Sequence, residues 1–223
     1  MRDNPILGDE EIARAESFFA GVFYQRFILG EWVLSEGLVY DFGEDNIVDE
    51  IPSNGEYYIS IDYGTMNPFS AGLWCVLGDK AVWVKEYYYN GREKAVQRTD
   101  EDYCDSVEEL ARGYNIRQVI VDPSAASFIA ALRKRGFTIR KANNDVLDGI
   151  RRTAVYLKNG NIKIHRSCVD SIAEFGLYRW DDKATADTVI KENDHAMDDI
   201  RYFCNTIMKN KVRKESTYTP IFM

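Results

Sequence analysis

Three acidic positions in this chain are placed to carry chemistry together. Asp62 ends the alternating apolar run of "YYISIDYGTMNP", Asp122 ends the continuous apolar run of "RQVIVDPSA", and Asp198 and Asp199 stand side by side in "NDHAMDDIRYF". Carboxylates brought to one place from two strand ends and a helix repel one another, the more so as water is excluded. A divalent cation relieves that repulsion, and Mg²⁺ in particular takes hard oxygen ligands while keeping several waters. Two such ions about 3.5–4 Å apart clamp the attacking and leaving oxygens of a phosphodiester. Metal-assisted hydrolysis of a phosphate ester is therefore the chemistry that suits these residues.

Each acid also has a plain structural reading. Asp62 before Tyr63 and Gly64 suits a turn acceptor. Pro123 already enforces an extended Asp122 and ends its ladder. Asp194, Asp198 and Asp199 compensate the dipole at the start of a helix. The joint pattern is what points to a site. At about 100° per residue, Asp198 and Asp199 flank the apolar stripe of their helix symmetrically, so periodicity leaves the choice between them open. His195, one turn before Asp198, suits a solvated cap as well as a place beside the acids.

The elements that must position these residues follow from pattern. Tyr57–Asp62 alternates as a strand, and "SAGLWCVLG" and "KAVWVKEYYY", separated at Gly78 and Asp79, extend it to three consecutive antiparallel strands. A helix follows, with Tyr103, Val107, Leu110 and Ala111 on one face, Thr99 and Asp102 as a capping box and Gly113 as its stop. The unbroken run Val119–Val121 predicts a central strand covered on both faces. Ser124 is expected to cap the next helix, which carries Phe128, Ile129 and Leu132 and closes at Gly136, and "FTIRKA" is a further strand. Beyond Asn144 come a helix with Leu147, Ile150, Ala154 and Leu157, the short strand "NIKIH" and a helix over 169–178. A polar loop or hairpin from Trp180 to Asn193 leads to a last helix, His195 to Met208. The expected class is α/β, with a mixed sheet of three antiparallel strands and then parallel ones. Residues 1–50 read as a linker or lead-in, 51–208 as the main domain and 209–223 as a flexible basic tail.

Bulk properties narrow the function. Hydrophobic residues make up 45% and charged residues 29% of the 223, and no apolar run approaches the roughly 20 residues that span a bilayer. The first residues lack the basic and apolar regions of a secretory signal, so an intracellular protein is expected. Four cysteines without a Cys-x-x-Cys pair and only two histidines disfavour a zinc site or a disulfide framework. A net charge of −8 argues against simple coating of nucleic acid by Lys and Arg. It leaves room for an enzyme that meets phosphate through cations held by Asp.

The stretches "RFILGEWV", "GLVYDF", "YYISIDYGTMNPFSAGLW", "VIVDPSAASFIAALRKRG", "DVLDGIRR" and "NDHAMDDIRYF", in that order, resemble the C-terminal nuclease domain of tailed-bacteriophage terminase large subunits, which has a ribonuclease-H-like fold. The resemblance spans almost the whole chain. It implies that Asp62, Asp122 and Asp198 are catalytic metal ligands, with Asp198 preferred because the family usually reads Asp-Ala where this chain has Asp198 and Asp199. His195 matches a family histidine near the metals, and Asp199 remains an auxiliary candidate. Two Mg²⁺ or Mn²⁺ ions per site are implied, as is endonuclease cleavage of double-stranded viral DNA concatemers during packaging, with little sequence specificity. The implied partners are DNA, the terminase small subunit, the portal or procapsid and the ATPase domain of the large subunit, in the host cytoplasm and without a membrane. The chain contains no Gly-x-x-x-x-Gly-Lys-[Ser/Thr] loop, so ATP hydrolysis is not expected of it.

Lys141, Arg151, Arg152 and Lys183 are the basic residues expected to meet DNA, and the small Gly64 and Thr65 are expected to leave room for its backbone. Other readings are a non-catalytic module docking DNA or the portal, a junction resolvase, and an actin-like phosphotransferase, for which "DYGT" imitates a phosphate loop.

Overall fold

The computed structural model, which describes residues 8–33 and 35–212, forms a seven-stranded mixed sheet in the order β1-β7-β4-β3-β2-β5-β6. The strands are β1 (Ile47–Val48), β2 (Glu56–Asp62), β3 (Phe69–Leu77), β4 (Lys80–Tyr89), β5 (Ile116–Val121), β6 (Ile139–Lys141) and β7 (Ile162–His165). The α-helices are α1 (Asp9–Ser17), α2 (Gly21–Tyr24), α3 (Gly91–Lys94), α4 (Asp100–Ala111), α5 (Ala126–Lys134), α6 (Val146–Lys158), α7 (Val169–Phe175), α8 (His195–Phe203) and α9 (Lys209–Val212). β2, β3 and β4 form the antiparallel meander, and β5 and then β6 add to β2 in parallel. This is the α/β mixed sheet expected, with ribonuclease-H-like topology.

Because successive strand residues face opposite sides, the sheet separates two cores. Ile59, Ile61, Leu73, Val119 and Val121 pack with Tyr103, Val107 and Phe128 of α4 and α5. Tyr58, Trp74, Trp83 and Ile120 pack with Ile150, Met197, Ile200 and Phe203 of α6 and α8. Trp74 stacks on Phe203 with ring centroids 3.9 Å apart. A Cβ at Gly72 would lie 2.3 Å from the Trp83 ring, so glycine is what lets that indole lie flat on the sheet. The same alternation directs Asp62, two residues after Ser60, and Asp122, two after Ile120, towards α8.

Several expectations are corrected. Helix α5 starts at Ala126 with Ala125 as its N-cap and no side-chain cap. Ser124 instead donates its backbone N–H to Asp122 Oδ1 at 2.8 Å. A Cβ on Gly64 would lie 2.5 Å from Pro68 O and 2.6 Å from Asn67 O, so its smallness lets the loop after β2 close on itself. Strand β7 lies on the opposite side of the sheet from β6. It returns to pair in parallel with β4, and β1, from within the first 50 residues, pairs with it. Phe23, Ile28, Val39 and Tyr40 of that same stretch are buried. The last helix is α-helical to Phe203, π-helical over Cys204–Met208 and α-helical again to Val212. The rest of the expected tail, 213–223, lies outside the described residues. Among the described residues no helix is long and apolar enough to cross a membrane.

Candidate functional site

β2 and β5 run parallel with Ile61 opposite Val121, so the next residues, Asp62 and Asp122, leave neighbouring strand ends side by side. α8 lies across the face they share. His195, Asp198 and Tyr202, at i, i+3 and i+7, form one face of this helix and meet the strand ends. His195 Nδ1 lies 2.9 Å from Asp62 Oδ2. Tyr202 donates its hydroxyl to Asp62 Oδ1 at 3.4 Å and also bonds Asp122. Asp122 Oδ2 accepts from Asn144 Nδ2 at 3.0 Å.

Asp198 is 9% exposed. It pairs with Arg201 Nη2 at 2.8 Å and with Lys191 Nζ at 3.5 Å, and Lys191 also lies 3.4 Å from Asp194. Asp199 points the other way. It is fully buried, its Oδ2 accepts from Ser70 Oγ at 2.9 Å, and the Ser60 hydroxyl also bonds its carboxyl. The structure thus places the two acids differently: Asp198 lies close enough to Asp62 to raise its carboxyl pKa, and Asp199 sits over the small side chains of β2 and β3.

Protonation follows from these surroundings. Burial raises the carboxyl pKa of Asp62 and outweighs the hydrogen bond from His195, while Asp198 and Asp194 push it further up. Burial works against the imidazolium of His195, but Asp62, Asp194 and Glu174 outweigh it and raise its pKa. For Asp122 burial is again the largest influence, yet hydrogen bonds from Ser124, Asn144 and Tyr202 together hold its carboxyl below the usual value. Burial lifts the Asp199 carboxyl well above its ordinary value.

The carboxylates Asp62, Asp122, Asp194 and Asp198 face two permanent cations, Lys191 and Arg201, and the site stays anionic even with His195 protonated. Hard oxygen donors with excess negative charge are the ligand chemistry of Mg²⁺ and Mn²⁺, so the donor set fits a divalent cation. Among the described residues, no three His, Cys, Asp or Glu side chains stand close enough to hold an ion as they are. Asp62 is turned to His195, and Asp198 to Arg201 and Lys191.

Of the four basic residues expected to meet DNA, Lys141 ends β6 beside Val121, one residue from Asp122 along the neighbouring strand. Arg151 and Arg152 are both paired with Asp148. Lys183 lies in the 180–194 loop, its backbone N–H bonded to Asp181 Oδ1 at 3.0 Å.

One supporting residue gives no sequence signal at all. Glu174, in the last turn of α7, reads as an ordinary helix acid but is 5% exposed. It accepts the Tyr88 hydroxyl at 2.5 Å and the Ala196 N–H at 2.7 Å, and the Met197 N–H also bonds it. Asp194, at the N-cap position of α8, makes no side-chain cap bond, so Glu174 caps that helix from another one. Removing a cap costs about 1–2 kcal/mol. Glu174→Ala is therefore expected to lose roughly that much in urea denaturation. Glu174→Gln, whose carbonyl can take the two N–H groups while its amide faces Tyr88, should recover most of it; equal losses in both variants would contradict the capping role.

No family model matches the chain. The large terminase of a thermophilic bacteriophage, solved with ADP, is 44% identical over 93% of this chain and 54% of its own length, with a TM-score of 0.87. The terminase large subunit of Escherichia phage T5 is 22% identical over 94% of this chain and 51% of its own. The nuclease domain of the bacteriophage SPP1 large terminase, solved with bound Mn, is 19% identical over 70% of this chain and 92% of its own, with a TM-score of 0.51. The chain thus spans about half the length of the full-length large subunits that it matches. In sequence and in fold it resembles the nuclease domain of bacteriophage terminase large subunits.

Proposed function

We propose that this chain is a metal-dependent endonuclease that cleaves double-stranded viral DNA during genome packaging. The observation that carries the reading is the meeting of Asp62 and Asp122, from adjacent parallel strand ends, with the α8 face that bears Asp198. Asp62, Asp122 and Asp198 would hold Mg²⁺ or Mn²⁺. The bound manganese of the SPP1 domain supports a divalent ion here. When bound, the ions would supply an activated water and charge stabilisation at the leaving 3′-oxygen.

The protein's own groups prepare that site. His195 orients Asp62, Tyr202 ties Asp62 to Asp122, and Arg201 fixes Asp198 from below. Lys191, on an exposed stem, is the cation beside Asp198 best placed to turn towards a phosphate. Contacts of this kind position a duplex without reading its sequence, so little sequence specificity is expected. By the same reading residues 51–208 form the body of the nuclease unit, the first 50 residues add β1 and part of its core, and the chain leads in from an ATPase domain. The small subunit, the portal and the host cytoplasm are the corresponding partners and place.

The test is plasmid cleavage by the purified chain with Mg²⁺, with Mn²⁺ and with EDTA. Linear and degraded products are expected with either metal and none with EDTA. Absence of cleavage with every divalent ion, or cleavage that survives EDTA, would remove the proposal.

A further inference from the structure

Next to the strand ends lies a groove of about 280 Å³ whose ionisable side chains are all cationic, Arg140 and Lys141 on one wall and Lys209 on the other. Asn205, Thr206 and Asn210 complete it. In a chain of net charge −8 this is a local reversal of sign. None of the three cations is in an ion pair among the described residues, unlike Arg151 and Arg152, which share Asp148. Glu56, which accepts the hydroxyl of Tyr58, the tyrosine that feels the Arg140 charge, is already paired with Arg117 and Lys211.

The walls are cross-linked in advance. Ala142 N–H donates to Val121 O at 2.9 Å and so extends the β5–β6 ladder. Asn143 N–H donates to Thr206 Oγ1 at 2.9 Å, and Asn205 Nδ2 donates to Asn143 O at 3.3 Å. One residue on, Asn144 holds Asp122, so the groove and the carboxylates share a single short segment. Along the helix, Asn205 follows Asp198 by seven residues, about 10 Å at 1.5 Å per residue. Three base steps of a duplex at 3.4 Å each cover about the same length. A lysine on an edge strand such as β6 also guards against strand addition, which accounts for Lys141 but not for Lys209 facing it.

We propose that this groove binds the phosphodiester backbone of double-stranded DNA about three nucleotides from the cleaved bond and aligns the duplex over Asp62, Asp122 and Asp198. The proposal rests on the nuclease reading and names where its substrate is gripped. Its test compares the parent with an Arg140→Gln, Lys141→Gln, Lys209→Gln triple variant, both carrying Asp62→Asn, in binding to a 30-base-pair duplex across a range of salt concentrations. Each phosphate contact contributes about 0.9 to the slope of log affinity against log salt, so the triple variant should flatten that slope by about three and bind at least about tenfold more weakly at moderate salt. With Asp62 restored, the triple variant should hydrolyse the small diester bis(p-nitrophenyl) phosphate with Mn²⁺ at the parental rate, while plasmid cleavage falls. An unchanged salt slope overturns the groove. A lost slope in a chain whose parent cleaves nothing with any metal keeps the groove as a DNA site and overturns the nuclease reading instead.

Discussion

Asp62→Asn is expected to lower metal-dependent plasmid cleavage by on the order of 10³-fold, because it removes one of the carboxylates proposed to hold the metal and part of the charge that attracts it. The amide keeps the size of the side chain and can still accept from His195 Nδ1, now 2.9 Å away, so the helix has no reason to shift. Folding should not suffer. Burial holds the Asp62 carboxyl above its ordinary pKa, so the native state binds this proton more readily than the unfolded chain does. The stability that Asp62 contributes is then present in acid and lost as pH rises through the folded-state pKa. At neutral pH the uncharged amide avoids that loss, and the thermal midpoint of the variant should equal or exceed that of the parent. Cleavage products from Asp62→Asn at near-parental rates in Mn²⁺ would remove Asp62 from the chemistry, and a collapsed midpoint would show that its charge is structural.

How much of this site was legible in the sequence depends on the range of the interactions that write it. The faces of Asp62 and Asp122 are local facts: a period of two residues carries each to the same side as Ser60 and Ile120, and a parallel register brings them together. The capping box at Thr99 is local too, and it forms as expected. Pairings set at long range were not legible. β1 has only two residues, too few to show alternation, and its partner β7 lies more than a hundred residues away. The turn role open to Asp122 beside Pro123 is the one it takes, accepting the N–H two residues on from Ser124, which leaves the following helix with Ala125 at its cap. The choice between Asp198 and Asp199 turned on what lies opposite each, Arg201 and Lys191 for the first and Ser70 for the second. Glu174 escaped notice for the same reason, since its partners come from β4 and α8.

Arg201 should give the largest loss of stability of any single charged residue near the site. The guanidinium is 2% exposed and bonds Asp198 Oδ1 together with Asn144 O at 2.9 Å and Asp145 O at 3.3 Å. Burial works against its charge, but Asp198 outweighs that and keeps it protonated. Its stem crosses α6 at Gly149, where a Cβ would stand 2.3 Å from Arg201 Cγ. Arg201→Met fills similar space but leaves the buried Asp198 with only the exposed Lys191 at 3.5 Å and two carbonyls without their donor, and removing one partner of a buried pair costs about 3–5 kcal/mol. For a chain of this size that corresponds to a fall of roughly 10 °C in the thermal midpoint. Adding Asp198→Asn to Arg201→Met removes the stranded charge, so the double variant should regain much of the midpoint while cleaving no DNA. That divergence separates the two duties of the pair, because a single structural role would return stability and cleavage together. If Arg201→Met instead melts within about 2 °C of the parent, which is under 1 kcal/mol at this chain length, Asp198 does not depend on Arg201 for its place in the site.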